Sequence, residues 1–243
     1  MKLSNKILLV TGILVLVAIT YTVIGFKKVV SQGKSNKINN KGKIDSLLNA
    51  KIETKNYSLK DFKKIKFNID GRVLIKQKDS WKVEISAPEK IFATEYTQVR
   101  KEKNILSIKT PLIGEGNRNS KIYISITLPK LEEIKVQSRT KLQLKNFEQK
   151  NMEVNVLGEC LLEGSNNKIE NLLLQSHGEN RISFSRSEIK NANVKGFGKN
   201  QISINMAGGI LQGSLGGAGV LIYSGEVKKV NVDTFGGTKV ISE

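Results

Sequence analysis

The stretch NLLLQSHGENRISFSRSEIKNANVKGFGKNQISI, residues 171–204, sets Gly178 and Gly198 20 residues apart in matching surroundings. Leu174 and Val194 stand four places before them, Ile182 and Ile202 four places after. Outward from this pair the series runs Ser138, Gly158, Gly178, Gly198, Gly216 and Gly236, in steps of 20, 20, 20, 18 and 20 residues. The residues four places after the markers are Leu142, Leu162, Ile182, Ile202, Val220 and Val240. Those four places before are Ile134, Val154, Leu174, Val194, Gln212 and Val232, with Gln212 the one polar member. Short apolar alternations recurring every 20 residues between small turn residues indicate a solenoid, because one coil cannot bury its own apolar face and the next coil supplies the missing core. Six coils stacked about 4.8 Å apart make a rod section of about 29 Å. The six markers are read as structural turn residues.

The chain's one histidine, His177, sits between Ser176 and Glu179 and invites a catalytic reading. Its repeat column, one place before each marker, holds Gln137, Leu157, His177, Phe197, Leu215 and Phe235, so it shares a place mostly taken by apolar residues. A stacked structural role is the expectation, since a triad needs partners that converge in space. Cys160 falls in a column of mostly small residues, Thr140, Cys160, Asn180, Asn200, Ala218 and Thr238, and reads as a free, inert thiol. Asn151, Asn171 and Asn191 recur at 20-residue steps and predict a stacked amide ladder closing the turns. An amide row that reads sugar hydroxyls is the functional alternative.

Residues 57–243 are strand-like throughout, with alternation in Ile65–Ile69, Val73–Ile75, Trp81–Ile85 and Ile122–Leu128, and no helical period after residue 60. Turns are expected at Asp70-Gly71, Lys78-Asp79-Ser80 and Gly114-Glu115-Gly116-Asn117. The fold class is therefore all-β, a β-helix-like solenoid with coils of about 20 residues, preceded by an N-terminal transmembrane helix.

That helix is read from residues 7–25, ILLVTGILVLVAITYTVIG, nineteen residues without a charge. At about 1.5 Å per residue they span roughly 28 Å, a bilayer core. The exit Tyr21-Thr22-Val23-Ile24-Gly25-Phe26 lacks a small-x-small cleavage pattern, so an uncleaved signal anchor over residues 1–26 is expected. A basic polar linker follows over residues 27–56. Net charge is +9 in residues 1–60, +7 in 61–130 and +2 in 131–243. The excess beside the apolar segment suits anionic lipid headgroups. A nucleic-acid reader would carry it on the folded domain among aromatic and arginine readers, so no nucleic-acid partner is expected. The positive-inside rule sets Lys27, Lys28, Lys34, Lys37, Lys41 and Lys43 against Lys2 and Lys6 and leaves a cytoplasmic domain open.

Catalysis finds little support. One cysteine and one histidine exclude a thiolate-rich zinc site and a disulfide framework. No phosphate loop, metal-ligand cluster or nucleophile elbow is present, and no cofactor is implied. Glycoside cleavage needs two carboxylates, one with a raised pKa. The best pair is Glu159 and Glu179, beside Lys141 and Lys199 and without an apolar pocket. The chain is read as non-enzymatic.

The run LPKLEEIKV, residues 128–136, the Gly-marked coils, and the closing GVLIYSGEVKKVNVDTFGGTKVISE, residues 219–243, resemble the bacterial GIN-domain family of autotransporter-adhesin head domains, a domain of unknown function. Tyr223-Ser224-Gly225 followed by the Gly236-Gly237 turn is the most specific element, and the resemblance spans roughly residues 57–243. It implies a β-helix-like fold, export or membrane anchoring, and no catalytic residues to carry over. The turns depart from the family's Ser-Gly-Ser-Gly pattern at Ser138-Arg139, Leu157-Gly158-Glu159 and His177-Gly178-Glu179-Asn180. Two readings follow: a periplasmic or extracellular adhesin-like module binding an unidentified protein or glycan, or an envelope structural or signalling scaffold. A carbohydrate-active enzyme ranks last.

Overall fold

The computed structural model describes residues 37–38, 46–95, 97–113 and 121–243. The expected anchor and most of the basic linker lie outside them, as does the Gly114–Asn117 turn. Among the described residues no helix is long and apolar enough to cross a membrane.

In chain order the strands are β1 (Lys37–Ile38), β2 (Ile52–Tyr57), β3 (Lys64–Asn68), β4 (Gly71–Gln77), β5 (Lys82–Pro88), β6 (Gln98–Glu102), β7 (Ile105–Lys109), β8 (Leu112–Ile113) and β9 (Tyr123–Leu128). They continue as β10 (Glu133–Gln137), β11 (Thr140–Lys145), β12 (Glu148–Gly158), β13 (Leu161–Gly178), β14 (Arg181–Gly198), β15 (Gln201–Gly217), β16 (Val220–Gly236) and β17 (Lys239–Ser242). Among the described residues after residue 60, a single four-residue helix, α1 (Glu89–Phe92), interrupts the strand pattern.

The chain forms an all-β solenoid of about six turns, its coils stacked by parallel pairing. Each coil bends at its marker into two main sides. Side one pairs β7, β3, β10 and β12 with the second halves of β13 to β16. Side two pairs β9, β4 and β11 with the first halves of β13 to β16, then β17. Alternate residues point inward, and the column Val73, Leu142, Leu162, Ile182, Ile202 and Leu221 is buried along its length. Antiparallel strands close the N-terminal end: β5 joins β9 and β2 joins β5 on side two, while β6 joins β7 on side one.

The register corrects the phase of the last coils. Gly198 pairs with Gly217, and Gly217 with Gly236, so the fifth turn position belongs to Gly217 and not to Gly216. The steps are 20, 20, 20, 19 and 19 residues. A register irregularity between Phe184 and Ala192 removes one residue from the fourth-to-fifth coil step. The shift puts Leu221 in place of Val220, Gly213 in place of Gln212, Gly216 in place of Leu215 and Gly219 in place of Ala218 in their columns. Gly216 serves another purpose: a Cβ there would lie 2.8 Å from the Phe197 ring, which covers it.

Candidate functional site

The corners after Ser138, Gly178, Gly198 and Gly236 hold buried polar side chains, Thr140, Asn180, Asn200 and Thr238. Asn180 Oδ1 accepts the Cys160 N–H at 2.8 Å, and its Nδ2 donates to Asn200 Oδ1 at 3.0 Å. Ser176 Oγ donates to Asn200 Oδ1 at 2.7 Å, and Asn180, Asn200 and Ser176 are all buried. Buried amides of this kind are stabilising only because their partners are present. Ser138, the one non-glycine marker, uses its hydroxyl instead: it accepts the Ile69 N–H at 3.0 Å and donates to the Ile69 carbonyl. Cys160 lies inside the same corner, and burial pushes its thiol up to about 12, which leaves it protonated and inert at neutral pH.

The Ser-His-Glu grouping disperses in three dimensions. The Ser176 side chain points into the core, His177 points to solvent, and Glu179 pairs with Lys199 at 3.0 Å. His177 lies in register between Leu157 and Phe197. The apolar character of that column has a different meaning from the one its composition suggests, because the column runs along the outside of the corner. Phe197 and Phe235 are 66% and 62% exposed.

Two outward sheet faces carry the remaining candidates. On side one, Asn171 Nδ2 donates to Asn151 Oδ1 and Asn191 Nδ2 to Asn171 Oδ1, both at 3.1 Å. The ladder ends on the Ile210 N–H, which donates to Asn191 Oδ1 at 3.0 Å. It forms as its 20-residue spacing predicts, and Asn171 Nδ2 also reaches the Lys150 carbonyl at 3.4 Å. Beside it lies an open depression of about 600 Å³ bordered by Glu153, Leu173, Asn193 and Gln212.

On side two, an open groove of about 490 Å³ crosses β5, β9, β4, β11 and β13. Its outward columns follow from the register. One runs Ser86, Tyr123, Arg72, Lys141 and Leu161; the other runs Glu84, Ser125, Leu74, Gln143 and Glu163. Tyr123 and Leu161 are 45% and 43% exposed, and the Arg72 guanidinium lies 5.4 Å from the Tyr123 ring centre. Sequence reasoning missed this groove. Its residues come from strands far apart in the chain, and only the alternation in residues 122–128, which turns Tyr123 outward, hints at it.

The groove's chemistry is that of contact. Glu84 and Glu163 are four strands apart, about 19 Å, beyond the roughly 5–9.5 Å that two-carboxylate glycoside cleavage uses. Glu84 is held by Lys82 at 2.7 Å, and Glu163 by Arg186. Glu159 and Glu179 occupy adjacent coils and are both exposed, with Glu179 paired to Lys199. Among the described residues no group of three or more His, Cys, Asp or Glu side chains could hold a metal ion.

Comparison with solved structures places the fold among known ones. A "putative adhesin" from Bacteroides fragilis NCTC 9343 shares 18% identity and a TM-score of 0.61, covering 81% of this chain and 99% of its own. A "putative lipid binding protein" from Parabacteroides distasonis ATCC 8503 shares 18% identity and a TM-score of 0.50, covering 80% and 98%. Comparison with curated proteins gives no match. With a family match over residues 61–241, spanning every coil of the solenoid, the chain belongs to the family described as "Putative auto-transporter adhesin, head GIN domain".

Proposed function

We propose that the chain is a non-catalytic, adhesin-like binding module of the cell envelope. Residues 7–25 hold it at the membrane, residues 27–56 form a basic spacer, and residues 57–243 present the binding surface outside the cytoplasm. The observation that carries this reading is the side-two groove, where Tyr123 and Leu161 stand exposed on a rigid sheet among polar and cationic neighbours. Concave surfaces that combine apolar side chains with a few convergent polar groups are where ligands bind. The family's description supports binding over catalysis. The uncharged stretch at residues 7–25 supports the anchor.

A screen of immobilised glycans, envelope proteins and whole cells, with the full chain held in neutral-lipid nanodiscs, tests the reading. Selective retention by any of these surfaces supports it. Retention by none of them, with the fold intact, overturns it.

A further inference from the structure

The side-two groove holds two cations, Arg72 and Lys141, and two carboxylates, Glu84 and Glu163, that do not pair with one another. Arg72 on β4 and Lys141 on β11 are register partners, so their side chains leave the same face of adjacent strands about 4.8 Å apart. Like charges placed directly opposite one another are destabilising. Neither cation has an ion pair with a described carboxylate. The two groove carboxylates are engaged elsewhere, Glu84 by Lys82, and Glu163 by Arg186 and by Gln143 at 3.3 Å. Arg72 rests on the ring of Tyr123 instead. Across four neighbouring strands the column therefore reads aromatic, cation, cation, apolar: Tyr123, Arg72, Lys141, Leu161.

We propose that this column is a subsite for an acidic glycan, a uronic-acid polymer lying across the strands. Its carboxylates sit between Arg72 and Lys141, where they relieve the repulsion and take charge-assisted hydrogen bonds. A sugar ring packs on the exposed face of Tyr123, and the next ring covers Leu161. The parallel column supplies the Ser125 hydroxyl, which accepts and donates as ring hydroxyls require, and the lone pairs and amide hydrogen that Glu84 and Gln143 keep beyond their contacts with Lys82 and Glu163. That second column favours a glycan over an anionic lipid, whose acyl chains have no hydroxyls to donate to a carboxylate-lined wall. The proposal rests on the binding-module reading and names the ligand class for that same groove.

The test measures binding of polygalacturonate, neutral dextran and dextran sulfate to the full chain in neutral-lipid nanodiscs. Polygalacturonate is expected to bind and dextran not to. Arg72→Gln and Lys141→Gln should each weaken polygalacturonate binding by about tenfold, the loss of one charge-assisted contact. Tyr123→Ser should weaken it by several-fold. Lys239→Gln, in the same outward column but five strands from Lys141, is the charge-matched control and should change nothing. All four positions are on the surface, so circular dichroism and melting should match wild type. Polygalacturonate binding that survives Arg72→Gln and Lys141→Gln overturns the proposal. So does equal weakening by Lys239→Gln, or dextran sulfate binding as tightly as polygalacturonate and without regard to Tyr123, either of which means general charge attraction. Retention of dextran or of a protein surface, without polygalacturonate, removes the acidic-glycan subsite and leaves the binding module standing. No polygalacturonate binding here, together with no retention by the glycans, envelope proteins and cells of the wider screen, removes both.

Discussion

Gly198 stacks on Gly178 so closely that a Cβ on Gly198 would penetrate the Gly178 carbonyl, and its φ of +120° is one that side chains rarely adopt. Two costs therefore coincide at one atom, a forbidden backbone angle and a collision with a neighbouring coil that cannot move without breaking its own ladder. Gly198→Val should destabilise the fold by a few kcal/mol and lower the melting temperature by several degrees. Gly208 is the contrast. Its φ is +81°, but the nearest atom to a Cβ there is Glu226 Oε2 at 3.9 Å, so Gly208→Ala should cost only the backbone term, about 1–2 kcal/mol. Equal melting of the two variants would mean that coil-to-coil contact is not what the marker glycines serve.

Asn180 is expected to be the most sensitive of the corner amides. It accepts from Cys160 N–H, and its two Nδ2 hydrogens are shared among Asn200 Oδ1, Ser176 Oγ and the His177 carbonyl. Asn180→Ala strands the buried Cys160 N–H, Asn200 Oδ1 and Ser176 Oγ at once, and each stranded group costs about 1–3 kcal/mol. Chemical denaturation should show a loss near the upper end of that range. In contrast, Asn171→Ala, in the exposed ladder, should lose less than about 1 kcal/mol, because water replaces the missing amide.

Much of this was legible in the chain because a solenoid is close to one-dimensional: each coil meets only its neighbours, so a 20-residue period is also a contact map. The buried Leu142–Leu162–Ile182–Ile202 column and the Asn151–Asn171–Asn191 ladder follow from that period alone. The phase fails at Gly216 because the tandem Gly216-Gly217 offers two turn candidates and the coil before it is one residue short. Period also says nothing about which side of a corner faces out, so the Leu157, His177 and Phe197 column was legible as apolar but not as exposed. The groove was illegible for a further reason. Arg72 and Lys141 are 69 residues apart, outside the repeat, and meet only because β4 caps the regular coils by pairing with β11.

Asp70 gives the fold a pH dependence. Burial is the main reason its carboxyl is raised to about 6, with Arg139 opposing that rise and Glu159 adding to it. A carboxyl whose folded pKa exceeds its unfolded value, 3.8 here, binds a proton more readily in the native state. Its contribution is therefore most favourable at low pH and is lost as pH rises through the interval from about 4 to 6. Asp70→Asn should flatten that part of the stability-against-pH curve. Melting curves of the two proteins that fall in parallel between those values would dismiss the assignment.

His177 should prove dispensable. Its side chain faces solvent in a column shared with Leu157 and Phe197, and its own backbone carbonyl, not its ring, holds the corner through Asn180. His177→Leu should leave melting within about 0.5 kcal/mol of wild type and leave binding unchanged. Binding that disappears while stability holds would make the outer corner a site, and would shift attention from Tyr123 to the neighbouring Phe197.

The address of the protein rests on residues 7–25, which lie outside the described residues and carry no charge. If they form an uncleaved anchor, the chain should stay with membranes through high-salt and carbonate washing, because apolar insertion does not respond to the screening that releases lysine-bound proteins. Release by salt alone would reduce the attachment to the basic linker. Orientation is a separate matter, since Lys27, Lys28, Lys34, Lys37, Lys41 and Lys43 draw the downstream side toward the cytoplasm while the function proposed here needs it outside. Protease added outside intact cells or spheroplasts should free residues 57–243 from the membrane while cytoplasmic controls survive. The compact, hydrogen-bonded coils should resist longest, so the first cut should fall in the linker and release a soluble fragment starting near residue 46 to 57. A domain fully protected until the membrane is opened would place the side-two groove on the cytoplasmic side, where an envelope glycan could not reach Tyr123, Arg72 or Lys141.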